Sequence, residues 1–386
     1  MLSPTLGQVL REAFDGPLAA SLNLSPHQWK ILRALAACRT GALGGQLFRC
    51  TRCNTEHFVA HSCRNRHCPQ CQGALSAEWL EKQAAALLPI PYFHLVFTLP
   101  HCLNGLIRQN PKVLFKLLFD AASQTLLEFG QNRFKGQIGV TAVLHTWSQT
   151  LLDHYHLHCI VTGGAITATR WKPSSEHYLF PVKALSLVFR GKFMAGFKRL
   201  FDEGRLEFHG QMAPLEQPAR FDQLLRQAVA QRWVVYAKRP FAGPRAVLAY
   251  LSRYTHRVAI SNRRLISSDG ATVTFTYKDY ADGARIKTMS LNTHEFVRRF
   301  CLHVLPQRFV KIRHYGLLGN RTRKERLERA RQLLGAAAPA QAPALRLAPG
   351  QASSSQRNCC PLCRQPALVL VCEVRPHRAA SRMDSS

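Results

Sequence analysis

Two hydrophobic periods alternate along this chain. Up to about residue 45 the apolar positions recur at helical spacing, and in SPHQWKILRALAACRTG Ser25 is placed to cap a helix with Pro26 at its first position and Gly41 as its stop. EWLEKQAAALLP continues the helical pattern. YFHLVFTLP then reads as a central strand, NGLIRQNPKVLFKLLFDAASQTLLEFG as helix, and QIGVTAVLHTW as a strand running into HTWSQTLLDHYHLHCIVTGGAI. Residues 185–231 return to helical spacing and WVVYAKRP to a strand; Pro244, following Gly243, opens a helix over PRAVLAYLSRYTHR.

Next, RRLISSDGATVTFTYKDYADGARIKTMSL alternates β-branched and polar residues around Asp269-Gly270 and Asp282-Gly283, two hairpin turn signals. NTHEFVRRFCLHVLP restores a helix, with Asn292 and Glu295 spaced as a capping pair. NRTRKERLERARQLLG predicts a basic amphipathic helix, AAAPAQAPALRLAPGQASSSQ a linker, and CCPLCRQP the start of a small terminal module. There is no internal repeat. Helices interspersed with hairpins imply antiparallel pairing, so the predicted class is α+β and not a doubly wound parallel sheet.

Charge narrows the function. Among 386 residues, 52 Lys and Arg face 22 Asp and Glu, a formal net charge of +30 spread along most of the chain. Such a field suits a polyanion, nucleic acid before an anionic membrane surface. No apolar run reaches the ~18 to 20 residues a bilayer span requires, and the start lacks a basic segment followed by an apolar one. A cytoplasmic protein is expected, with no membrane partner and no nucleotide cofactor.

Thirteen cysteines without a secretion signal point to metal ligation in preference to disulfides. In FRCTRCNTEHFVAHSCRNRHCPQCQ, Cys50 and Cys53 pair with Cys68 and Cys71 across fourteen residues, and two such knuckles can complete one tetrahedral Zn²⁺ site. Cys63 and His67 are alternate donors. Arg64 and Arg66 between the pairs offer a basic surface to nucleic acid. Cys360 and Cys363 form a further CxxC for a second zinc, with Cys359, Cys372 and His377 as partners.

Within HYHLHCIV, strand alternation places His156 and His158 on one face and Leu157 on the other, so two imidazoles can share a divalent cation. His154 has the same parity nearer the loop, and His145 is read as structural. In AYLSRYTHRVAISNRR, Tyr250 and Tyr254 lie four apart on a helix, one face bearing both phenols, with Arg253, Arg257, Arg263 and Arg264 around them. The plain alternative is a pair of aromatics packed on the sheet. A phenol in a cationic setting ionises more easily and can meet a phosphodiester.

Taken in order, SCRNRHCPQCQ, HTWSQ, HLHC, YLSRYTHRVAISNRR, YKDYADG and KIRHYGLLGNR resemble the rolling-circle transposases of IS91-like insertion sequences, HUH (His, hydrophobic residue, His) enzymes of the two-tyrosine class. The resemblance spans about residues 25–320. It implies an HUH-type antiparallel sheet flanked by helices, preceded by a small zinc module and followed by a basic helix and linker. By the same resemblance, His156 and His158 hold Mg²⁺ or Mn²⁺, with Gln149 as the third ligand, and Tyr250 and Tyr254 are paired nucleophiles that form 5′-phosphotyrosine intermediates on single-stranded DNA. Arg64, Arg66, Arg253, Arg257, Arg263, Arg264, Lys311, Arg313 and His314 are candidates for the DNA backbone.

The expected domains are 1–85, helical and zinc-binding; 86–320, catalytic; and 321–386, basic helix, linker and terminal module. Two competing classes remain open from the sequence. One is a non-enzymatic zinc-dependent nucleic-acid-binding regulator; the other is an HUH replication initiator or relaxase.

Overall fold

The computed structural model describes residues 3–15, 21–72, 84, 86–238, 246–247, 258–335 and 359–376. In chain order its principal elements are α1 (Leu6–Asp15), α2 (Pro26–Ala36), β1 (Gly45–Cys50), β2 (Glu56–Ala60), β3 (Tyr92–Thr98), α3 (Pro111–Phe134), β4 (Gly139–Trp147), β5 (Asp153–Thr162), β6 (Gly164–Ile166), β7 (Trp171–Pro173), α4 (Val182–Asp202), α5 (Pro218–Ala230), β8 (Val234–Lys238), β9 (Leu265–Ser268), β10 (Thr272–Asp279), β11 (Arg285–Asn292), α6 (Thr293–Cys301), β12 (Ile312–Gly316), α7 (Arg323–Leu333) and β13 (Leu368–Val374). The class is α+β, and every strand pair is antiparallel. No helix among the described residues is long and apolar enough to cross a membrane.

Two compact units form, and neither is contiguous in sequence: residues 1–77, 256–301 and 344–386 make one, residues 78–255 and 302–343 the other. This differs from the three consecutive domains drawn from sequence. The hairpin region and the terminal cysteine module both join the amino-terminal unit, because their partners are β1, α1 and α2 and not their chain neighbours.

In the first unit, Ser25 caps α2 as expected: its hydroxyl accepts from the Gln28 N–H, and Gln28 Oε1 accepts in return from the Ser25 N–H at 2.9 Å. Asn292 Oδ1 accepts from the Glu295 N–H at 2.7 Å at the start of α6, while the Glu295 carboxylate turns forward to Arg298 and Arg299. The Asp269-Gly270 and Asp282-Gly283 turns join β9, β10 and β11 into a meander, both glycines at positive φ. Phe275 of β10 meets Phe296 of α6, ring centroids 5.9 Å apart. Gln28 Nε2 donates to the Cys301 carbonyl, so the meander and α2 share one framework.

The second unit is built on a five-stranded sheet in the order β12-β4-β5-β3-β8. Its three central strands, β4, β5 and β3, are largely buried on both faces, whereas β8 and β12 at the edges are partly exposed. On one face, Phe93, Leu95 and Phe97 of β3, Leu144 of β4 and Leu157, Cys159 and Val161 of β5 pack with α3, α4 and α5 through Phe115, Phe119, Phe189, Phe193 and Phe221. The other face carries His94, Thr98, Thr141, His145, His156, His158 and Ile160, by parity and by register. Toward one end of it, Ile160 and Tyr92 join a second cluster with Leu88, Leu317, Leu318 and Leu327. The histidines lie beyond that cluster.

Candidate metal centres

On β4 and β5, His145 stands directly opposite His156, and Val143 opposite His158. Leu157, between the two β5 histidines, is fully buried among the helices and anchors the strand. One nitrogen from each of His145, His156 and His158 lies within 4.8 Å of the others. The Nε2 atoms of His156 and His158 are 3.1 Å apart. Two cis ligands on a cation at ~2.1 Å are separated by about 3 Å, so this spacing suits a shared ion.

The remote nitrogens set the tautomers. His156 Nδ1 lies 2.9 Å from the His154 carbonyl, a group that only accepts, so His156 donates there and keeps its Nε2 lone pair. His158 Nδ1 lies 2.9 Å from Nε2 of His94, a buried residue of β3. Burial holds His156 and His94 down to about 3, so both are neutral at physiological pH. Three imidazoles converging in a buried site form a donor set for a divalent transition metal.

His145, read from the sequence as structural, is thus brought to the pair. Gln149 sits beyond the end of β4, in the turn where the Ser148 N–H donates to the Leu152 carbonyl. His145 is the residue that register places against the pair, and its ring stacks on Trp147, whose other neighbours include Lys311 at 5.1 Å from the ring centroid. Tyr250, Tyr254, Arg253 and Arg257 lie outside the described residues.

The cysteines regroup. Cys50, Cys53, Cys68 and Cys71 do not meet at one point; Cys68 and Cys71 gather with Cys38 and Cys63, and Cys50 and Cys53 with Cys360 and Cys363. The cause is the β1-β2 hairpin: Cys50 and Cys53 sit in its turn, while Cys38 precedes β1 and Cys63, Cys68 and Cys71 follow β2, at the hairpin's open end. Cys38 follows α2 and was not singled out by spacing. In its cluster the Sγ separations are 3.6 Å (Cys38 to Cys71 and to Cys68) and 3.7 Å (Cys63 to Cys71). A zinc–sulfur bond of ~2.3 Å gives a tetrahedron edge of about 3.8 Å, whereas a disulfide needs ~2.05 Å. The contact with Cys68 holds the Cys63 thiol down to about 5, so the cluster favours one thiolate. His67 is not in either group; its N–H donates to Asn65 Oδ1.

Of the basic candidates, Arg64, Arg66 and Arg263 are exposed. Arg264 and Arg313 are committed locally: Arg264 Nε donates to the Thr276 carbonyl over the Phe275 ring, and Arg313 lies over Phe119 and Phe309 with Nε donating to the Val310 carbonyl. His314 Nδ1 pairs with the Thr141 hydroxyl at 3.0 Å, and burial lowers it to about 4.

Comparison with known proteins adds two family matches. Residues 9–99 match the family described as "Transposase zinc-binding domain", and residues 139–326 the family described as "Putative transposase". The chain is 41% identical over 380 residues, 95% of each chain, to "Putative transposase y4qJ" of Sinorhizobium fredii. It is 28% identical over 319 residues, 82% of this chain and 76% of the relative, to "Transposase for insertion sequence element IS801" of Pseudomonas savastanoi pv. phaseolicola. No solved structure matches the chain significantly.

Proposed function

Because this chain belongs to the IS91-like transposases with an amino-terminal zinc-binding domain, we propose that it cuts and rejoins single-stranded DNA at the histidine face, in rolling-circle transposition. The observation that carries the reading is the convergence of His145, His156 and His158 on one point of the sheet face formed by β4 and β5. A Mg²⁺ or Mn²⁺ ion held there supplies polarisation of the scissile phosphate and offsets its developing charge. Three imidazoles with no carboxylate favour Mn²⁺ over Mg²⁺.

One phenol oxygen of Tyr250 or Tyr254 attacks the phosphorus in line. The bond from phosphorus to O3′ breaks, the phenol loses its proton, and the departing O3′ gains one, leaving a 5′-phosphotyrosine and a free 3′-OH. The phosphodiester energy stays in the new bond, so the 3′-OH of a second strand reverses the step without ATP. The other tyrosine cleaves that second strand while the first still bears its adduct. Arg64, Arg66, Arg253, Arg257, Arg263 and Lys311 grip the backbone, while Arg264 and Arg313 hold the fold that presents them. Zinc in the cysteine module keeps that basic surface in shape.

The test of the metal role uses a labelled single-stranded oligonucleotide carrying the element's end. Full-length protein forms a denaturation-resistant adduct with Mn²⁺ and none after chelation, and His156→Ala/His158→Ala abolishes it with DNA binding retained. An adduct of undiminished yield in that variant refutes the role given to the histidines.

A further inference from the structure

Strand β13 presents a problem of stability. It pairs antiparallel with β1 from Gly45–Val374 to Cys50–Leu368, across more than three hundred residues of chain. Yet its side chains are poorly covered: Val369, Leu370, Val371 and Val374 are 41–55% exposed. An edge strand with so little apolar burial gains little from packing, and closing so long a loop costs entropy. Something other than a hydrophobic core holds it.

The thiols next to the strand offer that hold. Cys50 Sγ is 3.6 Å from Cys363 Sγ, and Cys53 Sγ is 3.6 Å from Cys360 Sγ, the same near-tetrahedral spacing as in the other cluster. The two CxxC segments also share one backbone design. The Cys50 N–H donates to the Thr55 carbonyl and the Asn54 N–H to the Cys50 carbonyl; the Cys360 N–H donates to the Gln365 carbonyl and the Arg364 N–H to the Cys360 carbonyl. Asn54 and Arg364, each the residue after the second cysteine, take the left-handed conformation at φ 54° and 58°. Two equivalent knuckles face each other, each turning its thiols toward the same point. His57 Nε2 stands 3.2 Å from Cys360 Sγ, where a ring N–H can donate to a thiolate.

We propose that Cys50, Cys53, Cys360 and Cys363 bind a second Zn²⁺, and that this ion clasps the carboxy-terminal segment to the amino-terminal unit. All four positions are taken by protein sulfur, so the site is closed and structural, not catalytic. Binding displaces the thiol protons to solvent and forms four zinc–sulfur bonds, with no change of oxidation state. The ion completes the β13-β1-β2 sheet, and its removal frees β13 and uncovers the β1 edge. The inference stands apart from the tyrosine chemistry and does not depend on it.

Metal analysis of the purified full-length chain tests it, together with hydrogen exchange on residues 368–374. The expected result is two zinc ions per chain, falling to one in Cys360→Ser/Cys363→Ser, with protection of β13 lost and protection of β4 and β5 kept. Cys38→Ser/Cys71→Ser loses the other ion, and Cys363→His, which still supplies a fourth donor, keeps both. One zinc in the wild-type chain, or two in Cys360→Ser/Cys363→Ser, overturns the proposal; so does β13 protection unchanged in that variant.

Discussion

Replacing His94 is the sharpest probe of how the sheet prepares the histidine site. The ring touches His158 Nδ1 at 2.9 Å and stacks on it, centroids 5.1 Å apart. For His158 to offer an ion its Nε2 lone pair, on the nitrogen that faces His156, its Nδ1 must carry the proton, and His94 Nε2 is placed to accept it. Phenylalanine fills the volume but cannot accept, so His158 is free to change tautomer or turn its ring. Loss of such an outer partner typically costs ~10- to 100-fold in metal affinity, about 1.4 to 2.7 kcal/mol. Glutamine restores an acceptor and returns most of it. Calorimetric titration of full-length His94→Phe, His94→Gln and wild type with Mn²⁺ at constant pH measures the effect. Zinc content, read in parallel, reports whether the cysteine module is intact. Equal Mn²⁺ affinity in wild type and His94→Phe refutes the positioning role.

Three further outcomes follow from the geometry. His303 is buried with Nε2 donating to the Leu151 carbonyl and Nδ1 against the Thr146 hydroxyl, and burial lowers it to about 4, so it stabilises the fold as a neutral ring above its unfolded pKa near ~6.5 and loses that contribution as pH falls toward 4. Between pH 7 and 5 urea unfolding should show His303→Gln losing about 2 kcal/mol less than wild type. Gly316 ends β12 at φ 61°, where a Cβ would stand 2.0 Å from the Ile138 carbonyl oxygen, so Gly316→Ala should lower stability by at least ~2 kcal/mol in the same assay. Lys311→Ala, by removing one backbone contact, should weaken single-stranded DNA binding for all sequences and reduce the slope of log K against log salt by about 1.

What the sequence made legible is local. Alternation in HYHLH identifies the face shared by His156 and His158 because strand parity needs no tertiary information. The Ser25 cap and the two Asp-Gly turns are equally self-contained. The third imidazole is not: His145 reaches the pair through the register of the β4-β5 hairpin, and nothing within five residues of it announces that partner. The cysteine grouping fails for a related reason. CxxC spacing specifies a knuckle but not which knuckle it meets, and here the choice is made by a strand pairing between Gly45–Cys50 and Leu368–Val374. Cys38, an isolated thiol beyond α2, carries no spacing signal at all.

In the proposed reaction, paired tyrosines carry out the transesterification. Its most direct measurement is peptide mapping of the adduct formed with the labelled element end, run beside Tyr250→Phe, Tyr254→Phe and the double variant. The expected result is a phosphonucleotide on Tyr250 or Tyr254, an adduct persisting in at least one single variant, and none in the double variant. An adduct of wild-type yield in the double variant, or one mapped to any other residue, contradicts it.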